Sequence, residues 1–436
     1  MKKLTFKHGI RLDGCKEKTE ALPIRETAPP KLLYFPLQQH IGAPLTALVR
    51  PGDFIHMGQK LADSDAPLSV PLHASVSGKV LSVGMHPHPN GSYVKTIVIE
   101  NDGLDTPSPP LHHKSPESMS RAELIHVIRE AGIVGMGGAG FPTHIKLSPP
   151  PGKTITNIIV NGAECEPYLT SDHRVMLEQT DEVLRGLLVV MRLFPQAKAT
   201  IAVEENKSDA IQKLLNLIQQ EHLNISVLTL LEKYPQGSEK HLIYAATGRE
   251  VPSGGLPMDV GCVVLNIDTV TAIARAVLKG LPLMRRIVTV SGNVIRQPGN
   301  FSARIGTPFS DVIEAAGGAI LPIGKIIMGG PMMGVSGFST EAPVVKATSS
   351  VLLLTREEAC TGAESPCIRC GRCAAACPMR LRPLFLNSYV MHGDWEKCRD
   401  ENIFDCIECG CCSYVCPSKR SIVQSVRLGK VRAKVK

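Results

Sequence analysis

Two copies of one cysteine pattern, C-x2-C-x2-C-x3-C-P, constrain this chain more than any other feature. Cys367, Cys370, Cys373, Cys377 and Pro378 form the first, and Cys406, Cys409, Cys412, Cys416 and Pro417 the second. Thiolates at this spacing hold [4Fe-4S] cubes, four per cube, and in the doubled arrangement the fourth cysteine of each run ligates the other cluster. One cluster is therefore expected on Cys367, Cys370, Cys373 and Cys416, and the other on Cys406, Cys409, Cys412 and Cys377. The alternative is structural zinc, which uses C-x2-C pairs completed by histidine or a second pair. A third cysteine followed by Cys-Pro, repeated twice, departs from that rule. A chain enclosing two such cubes moves single electrons.

The remaining cysteines (Cys15, Cys165, Cys262, Cys360, Cys398 and Cys411) are scattered, a usage that belongs to a reducing compartment and not to a disulfide scaffold. Cys411, beside Cys412, is expected to be a bystander. A length of 436 residues fits three or four units of ordinary size. The basic N-terminus has no apolar stretch behind it, so it is not a signal peptide. No run reaches the length of a spanning helix, because Arg185 and Arg192 stop the apolar segment at Leu187 to Met191. The net charge of +8 is local: Lys419, Arg420, Arg427, Lys430, Arg432, Lys434 and Lys436 follow Pro417 with no acidic residue among them. Residues 421–436 are expected to be a solvated basic tail, with contact to an anionic surface or acidic partner as the alternative. Only 4% of residues are aromatic and no basic face interleaves with them, so nucleic acid is not an expected partner.

Residues 31 to 100 read as short strands with tight turns, a small all-β unit. The phrases RPGDFIHMGQKLA and HASVSGKVLSV resemble lipoyl and biotinyl carrier domains, but the hairpin tip between them, SDAPLSV, has no lysine to modify. Proline-rich residues 101–118 read as a linker. Ser120 and Glu123 then form a capping box for a helix through Arg129. Strands at Ile155 to Val160, Ala199 to Val203 and Ile225 to Leu230 alternate with helices expected at Arg174 to Arg192 and Ser208 to Gln220, the pattern of a parallel α/β sheet. Residues from about 285 to 345 return to short β segments around a helix at Pro308 to Ala316.

The stretch GMGGAGFPTHIKL (Gly135 to Leu147) carries glycines that let backbone N–H groups approach a phosphate. NGAECEPYLTSDHR (Asn161 to Arg174) follows an apolar strand, where open α/β sheets place ligands. Its Asn161, Glu164, Glu166 and Asp172 offer acceptors for ribityl or ribose hydroxyls; alternatively, its carboxylates cap the following helix. These two loops, with YPQGSEK (Tyr234 to Lys240) and NIDT (Asn266 to Thr269), resemble the flavoprotein subunit of respiratory complex I. The resemblance implies FMN held by Gly137, Gly138, Lys146, Asn161, Gly237, Asn266 and Thr269, and the nicotinamide nucleotide near Phe141, Glu164, Glu166 and Glu239. Ala163 stands where that family has aspartate, and Leu265 where it has the first of two asparagines.

Taken in order, PLQQHIGAP, HASVSGKV, the two loops, YPQGSEKHLIYAATGREVPSGGLPMDVG, RIGTPF and the doubled cysteine motif resemble the C subunit of the Rnf (Rsx) ion-translocating electron-transport complexes over nearly the whole chain. HGIRLDG lacks that family's Gly-Gly-x-His-Pro-Pro motif. The resemblance implies a multidomain α/β plus α+β protein: an N-terminal β barrel-sandwich domain (1–100), the linker (101–118), a Rossmann-like FMN/NADH domain (119–284), a β-grasp module (285–345), a two-cluster ferredoxin domain (346–420) and the basic tail. It implies an oxidoreductase subunit exchanging electrons among NAD(H), FMN and two [4Fe-4S] clusters, peripheral on the cytoplasmic face of the cell membrane. Its partners would be NADH, further subunits that move Na+ or H+, and, indirectly, ferredoxin. A flavin is chemically required, because NADH gives an electron pair and a cube passes one electron. Rival readings are a cobalamin reductase of the microcompartment type and a non-enzymatic iron-sulfur relay.

Overall fold

The structure, a computed structural model, describes residues 4–359 and 362–434, so Cys360 and Lys436 lie outside the described residues. An arm of mostly irregular backbone comes first and ends in β1 (Ile24–Glu26). A barrel-sandwich follows: β2 (Leu32–Pro36), β3 (Thr46–Ala47), β4 (Phe54–Ile55), β5 (Lys60–Asp63), β6 (Leu72–His73), β7 (Gly78–Pro87) and β8 (Tyr93–Asn101). Its sheets have orders β2-β8-β7-β4 and β3-β5-β6, closed over Leu33, Phe35, Leu61, Leu72, Ile97 and Ile99. The arm runs outside that barrel. Leu4 bridges Leu230, Ile10 bridges Tyr234, and β1 pairs in parallel with a strand near residue 300. Residues 101–118, expected as a linker, are tied down on both sides: Ser108 N–H donates to Met57 and Leu111 N–H to Gly280.

The capping box at Ser120 and Glu123 forms as expected and starts α1 (Arg121–Glu130); α2 (Thr143–Lys146) follows the glycine-rich loop. Then come β9 (Asn157–Gly162), α3 (Ser171–Glu178), α4 (Thr180–Leu193), β10 (Lys198–Glu204), α5 (Ser208–Gln220), β11 (Ile225–Leu230), α6 (Glu239–Thr247), β12 (Cys262–Asn266) and α7 (Ile267–Lys279). The single helix expected from Arg174 to Arg192 is two helices broken at Gln179. The Thr180 hydroxyl donates to the Met176 carbonyl at 2.6 Å, where the helical ladder would place a backbone N–H. Helices α4 and α7 cross closely at Gly186, where a Cβ would lie 1.8 Å from the Val270 carbonyl oxygen. The sheet is wholly parallel, ordered β11-β10-β9-β12. The chain winds outward from β9 through β10 to β11, then returns to the other side of β9. The switch point, where such sheets open a ligand crevice at their carboxyl ends, therefore lies between β9 and β12.

A six-stranded sheet of order β1-β14-β13-β17-β15-β16 comprises the arm strand, β13 (Arg285–Ser291), β14 (Gly299–Arg304), β15 (Lys325–Met328), β16 (Val335–Gly337) and β17 (Ser350–Leu354), with α8 (Phe309–Ala315) between β14 and β15. After α9 (Arg356–Ala359), the cysteine-rich unit contains α10 (Arg372–Ala376), α11 (Pro383–His392), α12 (Trp395–Asp400), α13 (Cys411–Tyr414) and α14 (Ile422–Ala433). Helix α14 corrects the expectation of a solvated tail. Ile422, Val423, Val426 and Ala433 are buried, Ile422, Val426 and Ala433 in a core with Leu386 and Val390, and its charges are used locally. Lys430 donates to the Cys406 carbonyl at 2.6 Å and Arg427 pairs with Glu408 at 2.8 Å. Interleaved apolar residues at helical spacing won over the charge count. No helix among the described residues is long and apolar enough to cross a membrane.

Candidate flavin and iron-sulfur sites

Asn161 and Asn266 are register partners at the carboxyl ends of β9 and β12, facing the switch point. Asn161 donates to the Gly237 carbonyl at 2.8 Å and accepts from Ala163 N–H at 3.2 Å. Asn266 caps α7 by accepting from Asp268 N–H and donates to Asp172 at 2.6 Å. Thr269 accepts from Met136 N–H at 3.0 Å, which anchors the glycine-rich loop over α7. That loop closes on itself through Gly135 N–H to Phe141. A Cβ on Gly137 would press the Asn266 side chain at 3.2 Å, while the space around Gly138 is open. No hydrogen bond among the described residues engages the N–H groups of Gly137, Gly138 or Ala139. Exposed donors above two strand-end amides suit a phosphorylated, hydroxyl-bearing ligand such as FMN.

The other expected residues divide. Lys146 and Glu239, expected on different ligands, are an ion pair at 2.6 Å, with Lys146 also reaching the Val264 carbonyl. Glu164 takes the capping role: its Oε1 accepts from Asp172 N–H at 2.7 Å at the start of α3. Glu166 turns toward the six-stranded sheet, accepting from Met332 N–H at 3.0 Å and Met333 N–H at 2.8 Å. Burial raises its carboxyl above the usual range. Leu265 is buried in the sheet core, and Ala163 is fully buried with its carbonyl accepting from Lys207.

Three buried lysines have no signature in the sequence. Lys16, on the arm, donates to the carbonyls of Glu164 and Glu166 at 3.0 Å each and to that of Leu169. Lys207 donates to Ala163 at 2.7 Å and lies 3.6 Å from Glu204. Lys346 donates to Gly132, at the root of the glycine-rich loop, at 2.7 Å and to Pro71 at 2.5 Å. Burial lowers Lys16 and brings Lys346 down to about 7. Lys16 holds Glu164 and Glu166 in a loop where Glu164 and Tyr168 adopt positive φ. No local motif announces such a clasp.

The doubled cysteine motif builds two cavities. Cys377, Cys406, Cys409 and Cys412 line one, and Cys367, Cys370, Cys373 and Cys416 line the other, so the fourth cysteine of each run crosses over. No three His, Cys, Asp or Glu side chains among the described residues converge as a single ion requires. Four motif cysteines around each cavity, with no histidine in either lining, supply the thiolate set that a [4Fe-4S] cube would use. Cys411 is fully buried and lines the first cavity. That cavity abuts the flavin-side loop: Tyr234, 1% exposed, donates to the Cys409 carbonyl at 2.7 Å and to Glu166 at 3.4 Å. Cys367 and Cys370 of the second cavity are exposed.

Residues 128–275 match the family described as the Nuo51 FMN-binding domain, residues 4–104 the RnfC barrel sandwich hybrid domain and residues 287–336 the SLBB domain. The chain is 47% identical to the C subunit of the Na(+)-translocating ferredoxin:NAD(+) oxidoreductase complex of Acetobacterium woodii, covering 98% of this chain and 96% of that one. It is 47% identical to the C subunit of the proton-translocating ferredoxin:NAD(+) oxidoreductase complex of Clostridium ljungdahlii, over 97% and 93% of the two chains. The C subunit of the ion-translocating oxidoreductase complex of Rhodobacter capsulatus is 40% identical, over 91% and 77%. Barrel-sandwich, flavin-type and SLBB units thus occur in one chain, in the order and over the length of these relatives, and the chain belongs to the family formed by the C subunits of ion-translocating ferredoxin:NAD(+) oxidoreductase complexes.

Proposed function

We propose that this chain exchanges electrons between NAD(H) and two [4Fe-4S] clusters as the peripheral NADH-oxidising or NAD-reducing subunit of a membrane-bound ferredoxin:NAD oxidoreductase complex, on the cytoplasmic face of the cell membrane. Na+ or H+ movement belongs to partner subunits. The observation that supports the reading is Tyr234, which joins the loop after β9 to the backbone of Cys409 within one buried cluster, so that the two proposed centres would lie side by side. FMN would be held by Gly137, Gly138, Lys146, Asn161, Gly237, Asn266 and Thr269. When bound it supplies the conversion between an electron pair and single electrons. Phe141, Glu164, Glu166 and Glu239 lie on the segments that would border the nicotinamide. Glu166 also fixes its loop through the Met332 and Met333 amides, and Lys146 pairs with Glu239.

Cys377, Cys406, Cys409 and Cys412 would hold the cluster on the flavin side. Cys367, Cys370, Cys373 and Cys416 would hold the one nearer the surface, from which electrons pass to a partner. The names of the relatives support neither a cobalamin reductase of the microcompartment type nor a non-enzymatic iron-sulfur relay. Equal identity to a sodium-translocating and a proton-translocating relative fits a subunit that does not choose the ion. The test is anaerobic: reconstitute the clusters, add FMN, mix with NADH and follow both absorbances. Flavin bleaching followed by cluster reduction is expected; intact clusters with no bleaching would overturn the reading.

A further inference from the structure

Asp172 lies on the first turn of α3, beneath the proposed flavin site, half-buried among charges drawn from four places in the chain. Its carboxylate accepts from Asn266, the cap of α7, at 2.6 Å, and its own N–H is taken by Glu164 at 2.7 Å. Asp268, on the first turn of α7, is ion-paired with Arg286 of β13, whose guanidinium also donates to the Met136 carbonyl in the glycine-rich loop at 3.2 Å. The other Glu164 oxygen, Oε2, is buried without a hydrogen-bond partner, 3.9 Å from Lys16. Glu164 and Asp268 thus face Asp172 with like charge, while Arg286 and the Asn266 amide oppose them. Electron exchange as proposed above gives Asp172 no part. Burial first, then Glu164 and Asp268, raise its carboxyl to about 8, so from that pH upward negative charge arriving nearby draws a proton onto it.

Resting on the flavin assignment, we propose that Asp172 is a positioning residue acting on that site through Asn266, and that it takes up one proton when an electron pair arrives there and releases it when the pair leaves. A C–H bond of NADH breaks and NAD+ leaves, delivering two electrons and one proton as hydride. Above about pH 8, where Asp172 is otherwise ionised, its carboxylate gains one proton from solvent, the second proton of the step. The electrons depart singly to the clusters, and both protons return to solvent.

The experiment is a redox titration of the FMN-loaded chain between pH 6 and 9, comparing wild type with D172N and E164Q. One proton per electron pair is a tenfold change in the equilibrium per pH unit, about 30 mV. The wild-type flavin potential is expected to fall by that much more per pH unit than that of D172N, over a window opening near pH 8. E164Q, which removes one opposing charge and keeps a capping oxygen, is expected to move the window to lower pH. In the chain without flavin, the infrared band of a protonated carboxyl is expected at neutral pH and should be missing from D172N. Equal slopes in FMN-loaded wild type and D172N would overturn the proposal alone, as would an unmoved window in E164Q should D172N not fold. A wild-type chain that takes up no FMN would overturn the flavin assignment and this proposal together.

Discussion

The loop after β9 and the cysteine loops meet at Tyr234, yet they are held in opposite ways. Lys16 and Lys207 bind the carbonyls of the first from below, and Lys346 holds the root of the neighbouring glycine-rich loop. Protein alone makes that shape. Among the thiols of the cysteine loops, burial pushes Cys406 up to about 11 and raises Cys373, Cys377 and Cys412, while the hydrogen bond with Cys411 lowers Cys409. On the iron-sulfur assignment proposed above, the metal would draw the raised thiols into their ligating form, and that unit's order would be coupled to it. The flavin side should be preformed and the cluster side assembled.

The strongest way to break this contrast is to remove iron. Anaerobic chelation is expected to expose α10 to α14 to protease while the parallel sheet stays protected; equal digestion of both would end the distinction. Next in size is the pairing of the cysteines. Cys377→Ala and Cys409→Ala should each cost about half the iron and abolish the same spectroscopic centre, whereas Cys416→Ala should abolish the other. Loss of the same centre by Cys377→Ala and Cys416→Ala would break the crossover. Lys16→Met then tests the preformed side. It strands three carbonyls and Glu164, and breaking a buried charged contact costs about 3–5 kcal/mol, which chemical denaturation should report together with weakened FMN binding.

A subtler test uses pH. Asp172 has a folded value raised to about 8, far above the roughly 3.9 of a free aspartate, so its contribution to stability is complete below the lower value and lost as pH rises through the higher one. D172N, measured against wild type, should gain melting temperature from pH 4 to pH 8 and then level off. The smallest effect belongs to Arg427→Gln on α14, an exposed partner of Glu408, for which about 0–1 kcal/mol is expected.

Legibility in the sequence follows the range of each interaction. The capping box at Ser120 and the crossed cysteines rest on neighbours a few residues apart or on a repeated spacing; the box forms, and each set of four cysteines lines one cavity. The strand-end position of Asn161 followed from one apolar run. Lys16 could not be found this way, because its acceptor on Glu166 is 150 residues distant and a lone lysine in a polar segment carries no pattern. The break at Gln179 was hidden because Thr180 reads as an ordinary helix residue until its hydroxyl is seen on Met176. Glu166 matched a family motif, but its partners, the Met332 and Met333 amides, come from another unit of the chain.

The arm also bears on how the molecule is made. Gly9 donates to Ala376, Lys16 reaches Leu169, and β1 adds to the edge at Asn300. Residues 4–26 leave the ribosome well before their most distant binding partner, which emerges some 350 residues later and, at about 5–20 residues per second, after tens of seconds of waiting. The arm can therefore be seated fully only after the sheet, the flavin-side loop and the cysteine unit that it ties together have all been synthesised.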